Sequence, residues 1–392
     1  MIDVNMKIGG RFMEERGNAK LKLIDKYIGI PIVFLLGMLR GKKEKKILNP
    51  KSIIIVMIAA IGDTILLSSI IKEIKHRYPN SNITIVCSNE NAQAAKNIPY
   101  INRMIKFNMS SLLGSFILLR KETPYDLLLD FGAWSRLNAI ISFVIKANIK
   151  VGFKRKKMFR HYIYDRTAEH LDSIHELENY RNVLRSLEFN LIKINPEFLI
   201  SKESKEKIGT LLDSKNKFII FHLFASGSHK EIKQWTESSW IELANRLIRE
   251  GYKIILTGGR QDSELANEIV QKMDCKGGTD CISLAGKLSL EETAALIEEV
   301  NIIVTVNTGI MHLAAAVGSS IIALHGPTSP LRWGPVSEKS VILTPRIKCD
   351  HLLSLGFEKH RCVVENGCIS TIHVNDVYSA LKNKENNLRR LS

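Results

Sequence analysis

Residues 300–335 constrain the fold most, because they contain a strand, a turn, a helix and a second strand in immediate succession. The first strand, residues 302–306 (IIVTV), is short, apolar and β-branched, which is typical of a strand covered on both faces. A polar turn, residues 307–309 (NTG), follows it, and residues 311–316 (MHLAAA) predict a helix. The first backbone N–H groups of a helix have no intrahelical partner and favour an anion. This segment therefore predicts a nucleotide or diphosphate site at the carboxyl edge of a parallel sheet.

Strand and helix patterns alternate along most of the chain. The first series of predicted strands and helices comprises residues 52–58, 63–77, 83–87, 125–130 and about 168–187. A charged helical stretch, residues 202–214, leads to a second series at residues 218–221, 237–250, 252–256, 262–272, 283–285 and 290–300, which ends in the segment above. This alternation predicts an α/β protein with mostly parallel sheets. Two successive units of similar size place a cleft between their carboxyl-end loops.

The charge of the chain indicates an anionic partner. The 392 residues carry a formal net charge of +16, which favours nucleic acid, a membrane surface or a phosphorylated substrate. Aromatic residues make up only 7%, and no run interleaves them with basic residues as single-strand nucleic-acid binders do. We therefore expect a membrane or a phosphorylated glycolipid, and no nucleic acid.

The amino-terminal segment combines an apolar run with much of this charge. Residues 1–51 contain nine lysines and three arginines against two aspartates and three glutamates. The apolar run, residues 27–39, is shorter than the roughly 20 residues of a spanning helix, and it lacks a signal-peptide cleavage site. Basic flanks at residues 20–22 and 40–46 favour a monotopic anchor on an anionic inner leaflet. The alternative is a helix packed on the protein body.

The six cysteines are too dispersed for a disulfide framework. Cys87 and Cys281 lie near apolar strand-like runs, which is typical of reduced core residues, and the cytoplasm is the simplest compartment. Cys349, Cys362 and Cys368 have irregular spacing without a CxxC pair, so we predict no metal site.

Gly62 and Asp63 follow the first predicted strand, where a parallel sheet carries its binding residues. The glycine allows a tight turn, and Asp63 lies at the start of a helix. Its carboxylate either caps that helix or acts as a general base in the cleft. Position alone leaves both interpretations open.

Two turns of the second unit carry candidate donor ligands. Ser226, Gly227 and Ser228 offer hydroxyl and backbone donors to a diphosphate, and Lys233 follows them with a positive charge. A solvated loop with incidental lysines is the alternative. Gly258 and Gly259 follow the next strand and can approach a base or ribose. The chain has neither a P-loop nor a GxGxxG after a strand, which argues against a dinucleotide oxidoreductase.

A basic run in the first unit contains Lys154, Arg155, Lys156 and Arg160. A solvated surface is the usual role of such a run. Because it lies on the unit that receives the acceptor, binding of a phosphorylated glycolipid is the second interpretation.

In their order and spacing, these residues resemble glycosyltransferase family 9, the ADP-heptose:lipopolysaccharide heptosyltransferases of Gram-negative bacteria. The resemblance covers most of residues 51–373. It is carried by residues 61–63 (IGD), 125–130 (YDLLLD), 222–235 (ending KQW), 284–286 (LAG), 307–316 (NTGIMHLAAA) and 326–328 (GPT). It implies the GT-B architecture, in which the parallel sheets of two Rossmann-like domains face each other across a cleft.

These patterns and the resemblance together predict a division of the chain. Residues 1–50 form the membrane-associating segment and residues 51–205 the Rossmann-like acceptor domain. Residues 206–345 form the Rossmann-like nucleotide-sugar domain, and residues 346–392 a tail with a terminal helix.

The family inverts at the anomeric carbon and needs no bound metal or other cofactor. Carried over, Asp63 would be the base that deprotonates the acceptor hydroxyl, and Lys233 would hold the donor diphosphate. The remaining donor-site assignments are Ser226, Gly227, Ser228, Gly258, Gly259, Asn307, Thr308, Gly309 and His312. The acceptor-site assignments are Gly62, Lys154, Arg155, Lys156 and Arg160. Sugar transfer develops positive charge on the sugar ring and negative charge on the leaving diphosphate. A carboxylate on one side, with a lysine and a helix amino end on the other, stabilises both charges.

The chain departs from the family pattern at Asn307, where members usually have aspartate. The amide removes a charge that would contact the donor, although it still donates and accepts hydrogen bonds. The loop between His222 and Lys233 is also longer than in the best-known members.

The sequence thus predicts an inverting, metal-independent glycosyltransferase that moves a sugar, heptose from ADP-heptose first, onto a lipopolysaccharide core or related glycolipid. We expect a cytoplasmic monomer, peripheral on the inner face of the cytoplasmic membrane. The alternatives are a UDP-sugar-dependent GT-B transferase and a non-catalytic homologue that binds sugar nucleotides or glycans, which Asn307 favours.

Overall fold

The computed structural model describes residues 19–40, 49–213, 216–227, 229–275, 280–347, 353, 364 and 366–389. The predictions for Ser228, Cys349, Cys362 and the basic flank after Arg40 lie outside these residues.

The described strands form two six-stranded sheets. The first sheet contains β1 (Ser52–Val56), β2 (Asn82–Cys87), β3 (Arg103–Lys106), β4 (Tyr125–Asp130), β5 (Ala147–Lys154) and β6 (Arg166–Glu169). The second contains β7 (Lys217–His222), β8 (Tyr252–Thr257), β9 (Cys281–Ser283), β10 (Ile302–Val306), β11 (Ser320–Leu324) and β12 (Ser340–Leu343). We call each sheet with its helices the first and the second lobe.

The described helices surround these sheets. In the first lobe they are α1 (Ala19–Tyr27), α2 (Gly29–Met38), α3 (Ile61–Arg77), α4 (Ala92–Lys96), α5 (Leu112–Lys121), α6 (Arg136–Val144) and α7 (Glu176–Arg185). The next ones are α8 (Lys202–Leu211), α9 (Lys230–Lys233), α10 (Glu237–Arg249), α11 (Ser263–Gln271) and α12 (Leu290–Val300). The last are α13 (Gly309–Ala316), α14 (Pro330–Trp333) and α15 (Val374–Arg389).

Both sheets are parallel and have the same strand order. The first runs β3-β2-β1-β4-β5-β6 and the second β12-β11-β10-β7-β8-β9, so each has the doubly wound Rossmann order. In such a sheet the strand order reverses beside the first strand, and ligands bind in the crevice at that point. The crevices therefore lie at the carboxyl ends of β1 and β4 in one lobe and of β7 and β10 in the other. This arrangement confirms the predicted GT-B class.

Some elements differ from the sequence prediction. The helix predicted at about 168–187 begins only at Glu176, because residues 166–169 pair with β5 as strand β6. The strand predicted at residues 283–285 is Cys281–Ser283. The sequence also missed β3, β5 and β12, which carry charged or polar residues and owe their strand structure to the neighbours they pair with.

The cysteine prediction is confirmed for one residue and wrong for another. Cys87 is free and buried in the core. Cys281 instead forms a disulfide with Cys275. Cys275 follows the end of α11 and Cys281 begins β9, and their Cα atoms lie 5.9 Å apart, within the range that a disulfide spans.

The apolar amino-terminal run forms α2, which packs on the first lobe. Ion pairs connect Asp25 to Arg136 and Arg40 to Asp165, one near each end of α2. Val33 is completely buried against Ala139 and Tyr164. Helix α2 thus packs on the protein body along one side, and within the described residues no helix has the length and apolarity to cross a bilayer.

Candidate active site

A cavity of about 470 Å³ lies between the two lobes, at the carboxyl ends of both sheets. The first lobe contributes Gly62 and Asp63 from the start of α3. The predicted residues of the second lobe that line the cavity are Ser226, Gly227, Lys233, Gly258, Gly259, Asn307, Thr308, Gly309 and His312. The structure therefore brings together candidates that lie up to 250 residues apart in the chain.

Asp63 lies in the first turn of α3, and its side chain is buried at the cavity wall. Ala60 occupies the N-cap position, so the interpretation of Asp63 as the cap residue is wrong. Instead, its Oδ1 accepts a hydrogen bond of 3.0 Å from the hydroxyl of Tyr180. A carboxylate held in this way at the cavity wall can accept a proton from a bound alcohol.

The starts of α3 and α13 approach each other closely across the cleft. A Cβ on Gly62 would lie 2.9 Å from Cδ2 of His312, and a Cβ on Gly309 would lie 3.2 Å from the Gly62 nitrogen. Only residues without a side chain allow this approach. It places the predicted general base directly beside the helix start that is predicted to bind the donor.

The start of α13 has the features of an anion site. Thr308 is the N-cap residue, but its side chain makes no capping hydrogen bond and its buried Oγ1 has no partner. His312, one turn later, also has an unpartnered nitrogen, Nδ1. Free N–H groups at a helix start, together with unsatisfied polar side chains, suit an anionic ligand.

Asn307 links this helix start to the next turn. Its Nδ2 donates a 2.7 Å hydrogen bond to Oγ1 of Thr328, in the turn after β11. The amide therefore connects two loops that line the same cavity. An aspartate here would accept a hydrogen bond from Thr328 instead of donating one.

The loop after β7 brings a lysine to the cavity. Lys233, at the end of α9, donates a 2.9 Å hydrogen bond to the Ser226 carbonyl oxygen. Gly227 between them has φ +74°, a left-handed conformation that favours glycine. The folded loop thus holds an ammonium group at the same cavity as the start of α13.

Three histidines at this site are neutral at pH 7. Burial lowers the pKa of His222 and of His325 to about 4. Burial and the neighbouring His175 and His325 lower the pKa of His312 to about 3. These imidazoles therefore carry no charge, and the positive charge near a bound anion comes from Lys233 and the helix start.

The basic run predicted for the acceptor does not line the cavity. Lys154 and Lys156 are exposed, while Arg155 stacks 3.5 Å above the ring of Trp134 and pairs with Asp172. Arg160 is 1% exposed and forms an ion pair with Asp130, so we correct its assignment from acceptor binding to a structural role. Arg160 thus points inward and neutralises the buried carboxylate of Asp130. No local sequence pattern indicates this pairing.

Sequence reasoning also missed a charged contact between the lobes. Arg332 of α14 is buried and pairs with Asp172 and Glu176 of the first lobe. Burial opposes the ionisation of Glu176, but hydrogen bonds from His170 and the charge of Arg332 hold its pKa below the ordinary value. The next residue, Trp333, lines the cavity. This network therefore joins the lobes beside the site.

Among the described residues, no group of three or more His, Cys, Asp and Glu side chains is arranged to hold a metal ion.

Comparisons with known proteins agree with this geometry. The profile of glycosyltransferase family 9 (heptosyltransferase) matches residues 119–355. Lipooligosaccharide heptosyltransferase 2 of Haemophilus influenzae is 27% identical over 308 residues, which cover 74% of this chain and 88% of that protein. Lipopolysaccharide heptosyltransferase 2 of Salmonella typhimurium is 39% identical over 111 residues, 28% of this chain and 32% of that protein.

Among solved structures, ADP-heptose LPS heptosyltransferase II of E. coli shares the fold. It has a TM-score of 0.70 and 22% identity, and the match covers 87% of this chain and all of that one. Since the family profile spans more than half of the chain, over both lobes, the chain belongs to glycosyltransferase family 9 (heptosyltransferase) and is a glycosyltransferase.

Proposed function

We propose that this protein is an inverting, metal-independent heptosyltransferase that transfers heptose from ADP-heptose to a lipopolysaccharide core or a related glycolipid. The observation that carries the proposal is the shared cavity, in which Asp63 of one lobe faces Thr308 and Lys233 of the other. The names of relatives, which include lipopolysaccharide heptosyltransferases 2 and 3, support heptose and lipopolysaccharide core as substrates.

In the proposed reaction, the acceptor hydroxyl attacks the anomeric carbon while its proton passes to Asp63. The bond from that carbon to the diphosphate breaks on the opposite face, which inverts the configuration. Negative charge then grows on the leaving diphosphate, where Lys233 and the free N–H groups of α13 stabilise it. The carboxylate is held for this step by Tyr180, whose hydroxyl is 3.0 Å from Oδ1.

The donor lies, in this proposal, on the second lobe. Thr308, Gly309 and His312 contact the diphosphate with Lys233, Ser226 and Ser228, while Gly258 and Gly259 face the nucleoside. The acceptor enters from the first lobe, past Gly62. The boundaries of the acceptor and donor domains at residues 51–205 and 206–345 are part of the same proposal, as is a monomeric enzyme.

Substitution of Asp63 tests the mechanism. We expect Asp63→Asn to lower kcat by about 100- to 10,000-fold, because the amide cannot take up the proton. The variant should still be stabilised against heat by ADP, since the nucleotide contacts the other lobe. Asp213→Asn, at an exposed aspartate two residues after the end of α8, is the matched control and should retain full activity. Undiminished transfer by Asp63→Asn would remove Asp63 from the mechanism.

A comparison of ADP with UDP tests which nucleotide the donor carries. We expect ADP to raise the unfolding temperature more than UDP at equal concentration. The reverse order would favour the UDP-sugar alternative.

Asn307 is the feature that favours a non-catalytic homologue. If the protein binds ADP-heptose but releases no ADP with any core acceptor, it is a non-catalytic binding protein. Turnover that the wild type shows and Asp63→Asn lacks would exclude that alternative.

We also propose that residues 1–50 associate with the anionic inner face of the cytoplasmic membrane, which would bring the enzyme to its glycolipid. The charge of the segment and its apolar run support this.

A further inference from the structure

Helix α2 packs on the first lobe through its small residues. Gly29, Val33 and Gly37, spaced four residues apart, lie on the side that faces the protein body. A Cβ on Gly37 would lie 2.5 Å from Cβ of Tyr162, and one on Gly29 would lie 3.1 Å from Cδ of Arg136. The helix therefore lies as close to the body as its backbone allows.

The large apolar residues of α1 and α2 consequently face outward. Leu39 is 72% and Tyr27 65% exposed, and the other exposed apolar side chains are Leu23, Ile24, Ile28, Ile32, Phe34, Leu35 and Met38. An ordinary surface helix of a water-soluble protein buries its large residues and exposes polar ones. Here the pattern is inverted, which marks an interaction site.

Helix α5 also exposes large apolar side chains. It buries Ser115 and Leu119, whereas Leu113 is 75% exposed and Leu112, Ile117 and Leu118 are exposed as well. We call the exposed apolar side chains of α1, α2 and α5 the apolar face.

Helix α6 connects the two parts of the apolar face. Its residues Leu137 and Val144 pack with Phe116 and Leu119 of α5. On its other flank, Ile140 and Phe143 belong to the cluster around Val33 of α2. The two exposed parts therefore flank one helix, fixed relative to each other and to the cleft.

The charges around the apolar face are basic. Lys26 is exposed on α1, Arg120 and Lys121 end α5, and Lys146 is exposed shortly after α6. Within residues 23–40 and 109–122, the two carboxylates both have basic partners, since Asp25 pairs with Arg136 and Glu122 with Arg103. Apolar insertion with a rim of unneutralised lysines complements an anionic lipid surface.

From this arrangement we infer that the enzyme docks on an anionic bilayer through two contacts, α1–α2 and α5. The helices lie in the plane of the interface, and the rigid packing of α2 and α5 on α6 gives the lobe one orientation on the membrane. This inference deepens the membrane association proposed above for residues 1–50, and it adds a second contact that is independent of that segment.

The experiment measures sedimentation of the full-length protein with phosphatidylcholine vesicles that contain or lack phosphatidylglycerol. We expect the double variant Leu113→Glu/Ile117→Glu to lower partition onto phosphatidylglycerol vesicles by at least about tenfold, because each exposed side chain loses its burial in lipid. Both side chains are exposed, so the fold should be retained, as heat stabilisation by ADP will show. Leu265→Glu, at an exposed leucine of the second lobe, is the matched control and should bind like the wild type.

Unchanged binding of the double variant would overturn the role of α5, even if deletion of residues 1–40 releases the protein. If light scattering finds a wild-type dimer that the double variant dissociates, a second copy covers the face and the inference is wrong. If the double variant loses vesicle binding but transfers sugar normally to a soluble acceptor, the inference is supported. If the wild type binds vesicles normally but transfers no sugar, the proposed reaction is wrong, whereas the docking inference is not contradicted.

Discussion

At the scale of single residues, the contact between Asp63 and Tyr180 determines how the carboxylate faces the cavity. Tyr180 is almost completely buried, with its ring against Phe131 and Phe153. A hydroxyl fixed in this way holds one oxygen of the Asp63 carboxylate in place, and it thereby fixes the orientation of the whole carboxylate group. The motif around Gly62 indicated Asp63, whereas nothing in the pattern of the polar helix α7 indicated its partner 117 residues away.

Removing this hydroxyl should affect turnover more than binding. We expect Tyr180→Phe to lower kcat about tenfold, which corresponds to the loss of one hydrogen bond to a charged group, while KM for the donor changes little. Tyr78→Phe is the control, because Tyr78 is also buried but lies at the far end of α3. An equal fall in kcat for both variants would show that Tyr180 has only a structural role. Steady-state kinetics with varied donor concentration provide the measurement.

The buried histidines make the fold sensitive to acid. The folded pKa of His325 is about 4, below the ordinary value of 6.5, so the unfolded chain binds the proton first as the pH falls. The stabilising contribution is complete above pH 6.5 and is lost toward pH 4, at about 1.4 kcal/mol per pH unit for each such group.

This dependence can be measured by urea unfolding at several pH values. We expect His325→Gln to lose less stability than the wild type between neutral and mildly acidic pH. His76→Gln, at an exposed histidine of α3, should follow the wild type. A pH dependence of His325→Gln as steep as that of the wild type would contradict the assignment.

At the scale of elements, two helix starts from different lobes form the centre of the site. The strand–turn–helix patterns predicted α3 and α13 individually, and the structure has both close to the predicted bounds. Their mutual approach depends on Gly62 and Gly309, which leave no side chain between the backbones. The sequence indicated why a glycine suits a tight turn but not that these two turns meet.

A methyl group at this contact should separate the lobes. We expect Gly62→Ala to destabilise the protein by about 1–3 kcal/mol, because the new Cβ would lie 2.9 Å from the His312 ring. The affinity for ADP should fall as well. In Gly209→Ala, the control on α8, the new Cβ meets nothing within 4 Å, and the helix should become slightly more stable. Calorimetry and ADP titration measure both effects, and equal stability of the two variants would contradict the close contact.

At the scale of the whole molecule, charged residues join the lobes beside the cavity. Arg332 and Glu176 are each almost fully buried, and their ion pair crosses from α14 to α7. A buried pair contributes little net stability, but removing one partner leaves the other charge unpaired in a low-dielectric site. The network therefore stabilises the arrangement in which Asp63 and Thr308 line one cavity.

Breaking this network should be costly. We expect Arg332→Gln to lower the free energy of unfolding by about 3 kcal/mol, because Glu176 loses its cationic partner. Arg346→Gln removes an exposed ion pair with Asp376 and should cost less than about 1 kcal/mol. Urea unfolding at neutral pH compares the two variants. Similar small effects would show that the contact between the lobes does not depend on Arg332.

The sequence by itself determined the α/β class, the two sheets and eleven of the 27 described residues that line the cavity. Short apolar strands, glycine turns and helix starts are local patterns, and local patterns suffice to place residues at the carboxyl edge of a parallel sheet. They did not suffice for β6, whose strand structure depends on pairing with β5, or for the disulfide between Cys275 and Cys281.

Only the tertiary structure decided which distant residues meet. It buried Arg160 on Asp130 and placed Tyr180 on Asp63, and it turned the large side chains of α2 and α5 outward. Each of these depends on the packing of segments far apart in the chain. The physical reason is that burial and pairing are properties of the assembled lobes, whereas the sequence pattern reports only the neighbours along one helix or strand.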